Sequence, residues 1–134
     1  MTRLSALFVN YNSWRLCVDG LLSLRNNPPL SADGAPMDYE VIVVDNCSPQ
    51  ADPEAEADLQ DLLGQMHGRL IRNQENSGYA QGMNLALTHA TGDWILVSNP
   101  DVLFQPDCLS LLLRHLESHP GTGAAAPASP SVKT

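Results

Sequence analysis

Residues 40–45, Glu-Val-Ile-Val-Val-Asp, constrain the fold of this chain more than any other stretch. Val41, Ile42, Val43 and Val44 are all β-branched, and such side chains lose χ1 freedom in a helix but pack well on a pleated surface. A strand covered on one face alternates apolar with polar residues. An unbroken apolar run instead predicts a strand buried on both faces, the setting of a parallel sheet between layers of helix.

The rest of the chain repeats the alternation that such a sheet needs. Residues 4–9 (LSALFV) and 93–98 (DWILVS) read as buried strands and residues 69–72 as a short one. Residues 14–26 predict a helix with Leu16, Val18, Leu21, Leu22 and Leu24 on one broad face, Asn12 and Ser13 as caps, and Asn27-Pro28-Pro29 as its stop. A second helix is expected over 54–66, acidic in its first turns and ended by Gly68. A small-residue helix over 79–90 closes at Gly92, and Pro106 opens a last helix over 107–118 with Leu109, Leu112, Leu113 and Leu116 inward. The order βαβαβαβα implies an α/β fold, a mostly parallel sheet with right-handed crossovers and helices on both faces. Periodicity is lost from Pro120, so residues 123–126 are expected as a strand remnant. One domain over 1–126 with a flexible tail over 127–134 follows.

Composition narrows the partners. With 43% hydrophobic and 16% charged residues, the chain reads as a soluble globular protein able to bury a core. Its formal net charge of -8 argues against broad nucleic-acid binding, which needs a basic footprint. A phosphorylated ligand remains compatible if a metal ion supplies positive charge locally. Cys17, Cys47 and Cys108 form no C-x-x-C pair, and His67, His89, His115 and His119 fall into no zinc pattern. Reduced thiols, and apolar runs too short for a secretory signal or a membrane span, predict a cytoplasmic protein.

In an open parallel sheet ligands bind beyond the carboxyl ends of the strands. The expected ends here carry Asn10-Tyr11-Asn12, Asp45-Asn46, the segment 73–77 and Asn99-Pro100-Asp101. Asp45-Asn46 and Asn99-Pro-Asp are also good turn formers, so either could serve a turn alone. The dinucleotide fingerprint G-x-G-x-x-G, the phosphate loop G-x-x-x-x-G-K and the nucleophile elbow G-x-S-x-G are all missing, which argues against those three chemistries.

Four segments in order, FVNYNS, EVIVVDNCS, NQENSGYAQGMNLAL and ATGDWILVSNPDVLF, together resemble the N-terminal half of family 2 glycosyltransferases. The resemblance implies a GT-A fold and transfer of a sugar from a nucleotide-diphosphate donor to a glycan or other hydroxyl acceptor, with inversion. It also implies a place in cell-surface polysaccharide synthesis, with peripheral membrane association open to the full enzyme. Asp45 matches the acid that accepts hydrogen bonds from the donor's base or ribose, a role suited to an acceptor-only carboxylate. A loop-capping role is its alternative. Val9, Asn10 and Tyr11 match the segment that lines the base, with the Tyr ring either a packing surface for it or a core residue. Asn76 and Gly78 match the donor side of the third strand's loop. Gly78 and Gly82 serve either close approach of the diphosphate or tight helix–sheet packing. Asn84 and Asp93 match recurrent polar positions of the family, which either brace the metal loop, the preferred reading, or touch the ligand.

Asn99-Pro100-Asp101 stands where the family has D-x-D, the motif through which a divalent cation (Mg²⁺ or Mn²⁺) meets the donor diphosphate. Asn99 replaces the first acid and offers a neutral carbonyl oxygen, so Asp101 becomes the favoured metal ligand and Asn99 its partner. The form NPDV resembles the rhamnosyltransferase-like branch. Arg72 is the one base expected at a strand end near the diphosphate. An inverting transfer also needs a general base, and only Asp107 and Glu117 follow Asp101, both on the last helix. The acceptor half is therefore expected to be incomplete, and the chain truncated. A non-catalytic nucleotide-sugar-binding or oligomerisation module is the alternative to an enzyme. Because Asp45 falls at a strand end, Asp45→Ala is expected to leave the fold intact.

Overall fold

The computed structural model describes residues 3–31 and 33–126. The elements alternate as β1 (Arg3–Asn10), α1 (Trp14–Asn26), β2 (Asp38–Asp45), α2 (Pro53–Gln65), β3 (Gly68–Arg72), α3 (Tyr79–Thr88), β4 (Trp94–Ser98) and α4 (Cys108–Ser118). Among the described residues the strands form one sheet in the order β3-β2-β1-β4. Every pairing is parallel. The tail expected over 127–134 lies outside the described residues.

The run in β2 behaves as its β-branched residues require. Val41 and Val43 point into one apolar cluster, and Ile42 and Val44 into a second on the opposite face. In β1, Leu4, Ala6 and Phe8 join the first cluster, while Leu7 and Val9 join the second. α1, α2 and α4 cover the first face through residues such as Leu21, Leu59 and Leu113. α3 covers the second with Met83 and Ala86. The expected α/β sheet with helices on both faces is therefore the observed one.

β4 is covered on one face only. Trp94 and Leu96 pack against the first cluster. Ile95 and Val97, opposite Ser5 and Leu7 of β1, stay 42% and 54% exposed because α3 lies over β1 and β2.

Several boundaries differ from expectation for local reasons. α2 begins on Pro53, which loses no helical bond at that position, and Asp52 caps it by accepting from the Ala55 N–H at 3.1 Å. His67 (φ 51), not Gly68, takes the left-handed turn after α2, and Gly68 already belongs to β3. α3 stops at Thr88, short of residue 90, with His89 as its cap. Ser13 caps α1 with no side-chain bond, because its hydroxyl donates to the Tyr11 carbonyl instead. Leu16 is exposed, and Trp14 and Cys17 take the inward positions of that turn. Pro106 lies in a turn before α4, which opens at Cys108 after Asp107 (φ 65). Residues 123–126 form no strand.

Candidate functional site

The carboxyl ends of β1, β2 and β3 are tied together by polar side chains. Asn10 and Asp45 are register partners in the parallel ladder. The Asn10 Nδ2 donates to Asp45 Oδ1 at 3.1 Å. Ser48 adds its hydroxyl to the same oxygen at 2.5 Å and its backbone N–H to Oδ2 at 3.2 Å. Asp45 is only 4% exposed, so its charge is stabilised by these donors instead of by bulk water. Beneath it in α1, Cys17 is pushed up to about 12 by burial and, secondarily, by the Asp45 charge, which keeps the thiol protonated and inert.

Asn46, one residue on, carries the network to α3. Its Oδ1 accepts from Asn73 Nδ2 at 2.9 Å and from the Ser77 N–H at 3.4 Å, while its Nδ2 donates to the Gly78 carbonyl at 2.9 Å. Asn76 turns the loop by accepting from the Gly78 N–H at 3.0 Å. Gly78 has φ 88, a conformation that glycine adopts without the Cβ penalty, and open space where a side chain would stand. Gly82 belongs to packing, because a Cβ there would lie 3.1 Å from Val9 Cγ1 and 3.3 Å from Asn46 Nδ2.

The loop between β1 and α1 closes one side of this cleft. Asn12 (φ 55) donates its N–H to Ser48 Oγ at 2.9 Å and accepts from the Gln50 N–H at 3.1 Å. Trp14 Nε1 donates to the Gln50 carbonyl at 3.2 Å. A shallow hollow of about 220 Å³ runs between these loops, lined by Asn12, Trp14, Arg15, Gln50 and Asp52 among others. Tyr11 is 44% exposed, so its ring is free to meet a ligand and is no core residue. The Val9 side chain is spent on the core beneath Gly82.

Asn99 and Asp101 stand apart from that network, beyond the end of β4 and on the other side of β1. The strand order reverses between β1 and β4, the place where open α/β sheets form their ligand crevice. Both residues are exposed. Among the described residues no three His, Cys, Asp or Glu side chains gather as a metal cage. One carboxylate and one amide oxygen nevertheless suit Mg²⁺ or Mn²⁺ in a nucleotide site. Such a cation keeps waters and takes substrate phosphate oxygens for most of its shell.

Three expectations need correction. Arg72 ends β3, at the opposite edge of the sheet from β4 and so roughly 14 Å from it at ~4.8 Å per strand. It is paired with Glu56 at 2.9 Å and lies over the Trp14 ring at 5.6 Å, apart from the Asn99–Asp101 loop. Asp93 precedes β4 and accepts from the Arg3 N–H at 3.0 Å, so it stands at the far end of the strand from Asp101 and cannot brace it. Asn84 is exposed on α3 and takes no part in the network. Asn46, Asn73 and Ser77, expected only as part of the polar strand ends, and Ser48, not singled out from the sequence, build the candidate site's network. Their signal was the density of Asn and Ser just after predicted strand ends.

A parallel sheet in the order β3-β2-β1-β4, with helices on both faces, is GT-A-like. The chain belongs to Glycosyl transferase family 2, whose family model matches residues 5–129. It is 30% identical, over 82 residues, to an uncharacterized glycosyltransferase of Haemophilus influenzae, a stretch that is 61% of this chain and 26% of that protein. It is similar to the mannosyltransferase PcManGT from Pyrobaculum calidifontis in complex with GDP-Man and Mn²⁺, with TM-score 0.72 and 26% identity over 86% of this chain and 32% of that one. Residues 1–349 of S. aureus TarS in complex with UDP-GlcNAc share its fold at TM-score 0.72 and 21% identity, covering 95% of this chain and 37% of that one. The chain thus spans about a quarter to two fifths of the length of these relatives.

Proposed function

We propose that this chain is the donor-binding part of an inverting glycosyltransferase, and that it takes a nucleoside-diphosphate sugar for transfer to a hydroxyl of a glycan or related acceptor. The observation that carries the reading is the division of its polar strand ends. A buried, prearranged acceptor network sits at β1–β2–β3, and an exposed acid sits past β4, across the switch point.

Each part has its own chemical task. Asn10 Oδ1 is buried without a partner among the described residues, beside the Asp45 carboxylate. Two acceptors side by side suit the N–H and hydroxyl donors of a base and ribose. The exposed Tyr11 ring offers an apolar face to the base. Asp101, with Asn99, would hold the divalent cation. When bound, that cation neutralises the charge developing on the leaving nucleoside diphosphate.

The Asn-Pro-Asp-Val form at 99–102 supports a donor of the deoxyhexose type, such as thymidine-linked rhamnose. The similarity to a mannosyltransferase holding GDP-Man and Mn²⁺ supports a hexosyl donor and a metal in more general terms. Three cysteines without a C-x-x-C pair support a cytoplasmic setting for the enzyme.

Calorimetric titration with UDP, GDP and dTDP, each with and without Mn²⁺, tests the proposal. It expects binding of at least one nucleotide that Mn²⁺ strengthens. No binding of any nucleotide under either condition contradicts it and favours a non-catalytic module built on the same sheet.

A further inference from the structure

α1 does more than cover the sheet. Gly20, Ser23 and Asn27 follow one another at spacings of three and four, which places them in a row along one face of the helix and its cap. All three meet the loop that carries Asn99 and Asp101. A glycine within a helix is disfavoured relative to alanine, so its presence at position 20 requires a reason. Gly20 is buried, and a Cβ built on it would fall well inside contact distance of the Pro100 carbonyl oxygen and 3.0 Å from that of Val102. The loop backbone lies directly on the bare face that glycine leaves.

The other two residues fix the loop's far end. Ser23 Oγ accepts from the Phe104 N–H at 2.7 Å while it donates to the Gly20 carbonyl at 2.6 Å. Asn27 Nδ2 donates to the Phe104 carbonyl at 3.0 Å. Both backbone groups of Phe104 are thereby taken by α1. Its ring packs edge-on against Phe8 of β1, with centroids 6.4 Å apart. Between these anchors the Val102 N–H donates to the Asn99 carbonyl at 3.3 Å and closes a turn with Pro100 and Asp101 at its centre. Asp101 is exposed as a side chain, yet its backbone is gripped on both sides.

We propose that Gly20, with Ser23 and Asn27, is a positioning element for the metal loop, setting where Asp101 presents its carboxylate. The inference rests on the donor-site reading above. The same helix begins at Trp14 beside the base-side loop, six residues or ~9 Å from Gly20 at 1.5 Å per residue. α1 therefore joins the base-side loop and the metal loop through one helix.

Gly20→Ala, Ser23→Ala and Gly64→Ala test the role. Gly64 is a glycine of α2 with open space around its Cβ position, so the same chemical change there meets no backbone. Mn²⁺ affinity is read by electron paramagnetic resonance in the presence of whichever of UDP, GDP or dTDP the parent binds. Affinity for that nucleotide in EDTA is read by calorimetry. Misplacing a liganding group by even an ångström is costly, so Gly20→Ala is expected to weaken Mn²⁺ binding by about tenfold or more. Ser23→Ala, which removes an anchor without a clash, should weaken it severalfold. Both should leave metal-free nucleotide affinity within about twofold, and Gly64→Ala should change neither quantity. Retention of full Mn²⁺ affinity by Gly20→Ala overturns the positioning role, as does equal loss of both affinities. Should Gly20→Ala not fold, Ser23→Ala decides by the same two readouts. A parent that gains nothing from Mn²⁺ overturns the donor-site reading itself, and with it the positioning role of Gly20, Ser23 and Asn27.

Discussion

Asn10 and Asp45 face each other across adjacent parallel strands, and the amide of the first donates to the carboxylate of the second at 3.1 Å. The pair is shielded from solvent, with Asn10 at 0% and Asp45 at 4% exposure. A candidate ligand-binding acid is thus also part of what holds two strand ends together. Asp45→Ala should lower stability by roughly 1–3 kcal/mol, because the Asn10 amide and both Ser48 donors lose their acceptor. Urea unfolding measures it. A variant as stable as the parent would mean that the network is replaced by water at no cost. The strand-end position from which an intact fold was expected after Asp45→Ala is a buried and hydrogen-bonded one.

Asn46 links three segments, and its loss should be felt away from its own strand. Asn46→Ala should destabilise the protein by roughly 1–3 kcal/mol and open the loop before α3 first. Hydrogen exchange at the Ser77 amide checks the second part. That amide should exchange markedly faster in the variant, while the β2 core amides should change only by the global loss.

How much of this was legible in the residues differs between the frame and the site. The run Val41–Val44 has one stable setting, and local chemistry alone identified the sheet, its direction and the helices between its strands. Asp45, Asn10 and Asp101 were legible as strand-end residues because strand boundaries follow from where apolar runs stop. What Asp45 touches was not, since Ser48 and Asn10 meet it only after β1 and β2 align in register. Arg72 was misplaced because strand order cannot be read from strand sequence, and β3 and β4 occupy opposite edges. Gly20 stood out only as a glycine inside a helix, and what it admits was not legible, because that backbone comes from a loop eighty residues later.

Glu40 sets an acid limit at the other end of the sheet. Burial by itself would raise its carboxyl. Hydrogen bonds from Ser5 and from the backbone and hydroxyl of Thr91, with the charge of Arg3, outweigh that and hold it below the ordinary value. A carboxyl depressed in the folded state contributes stability that is complete above its unfolded pKa and is lost as pH falls through the folded one. The parent should therefore start to lose stability as pH falls through the ordinary glutamate value, about 4.3, and go on losing it in the more acidic window below. Glu40→Gln should be less stable at pH 7 and show a shallower loss across that window. Thermal melts across the range check it, and equal slopes in the two proteins would remove Glu40 from the account.

The account depends most on Asp101 as the metal ligand at a nucleoside diphosphate, and Mn²⁺ titration of three proteins tests that directly. The parent, Asp101→Ala and Asn99→Ala would each be titrated in the presence of a saturating nucleoside diphosphate. Both positions are exposed, so neither substitution should move stability by more than about 0.5 kcal/mol. The prediction is that Asp101→Ala abolishes the metal-dependent gain in nucleotide affinity, while Asn99→Ala, which removes a neutral oxygen, only reduces it. An Asp101→Ala protein that keeps the parent's full metal-enhanced affinity would contradict the correspondence with D-x-D and, with it, the assignment of this loop to the donor diphosphate.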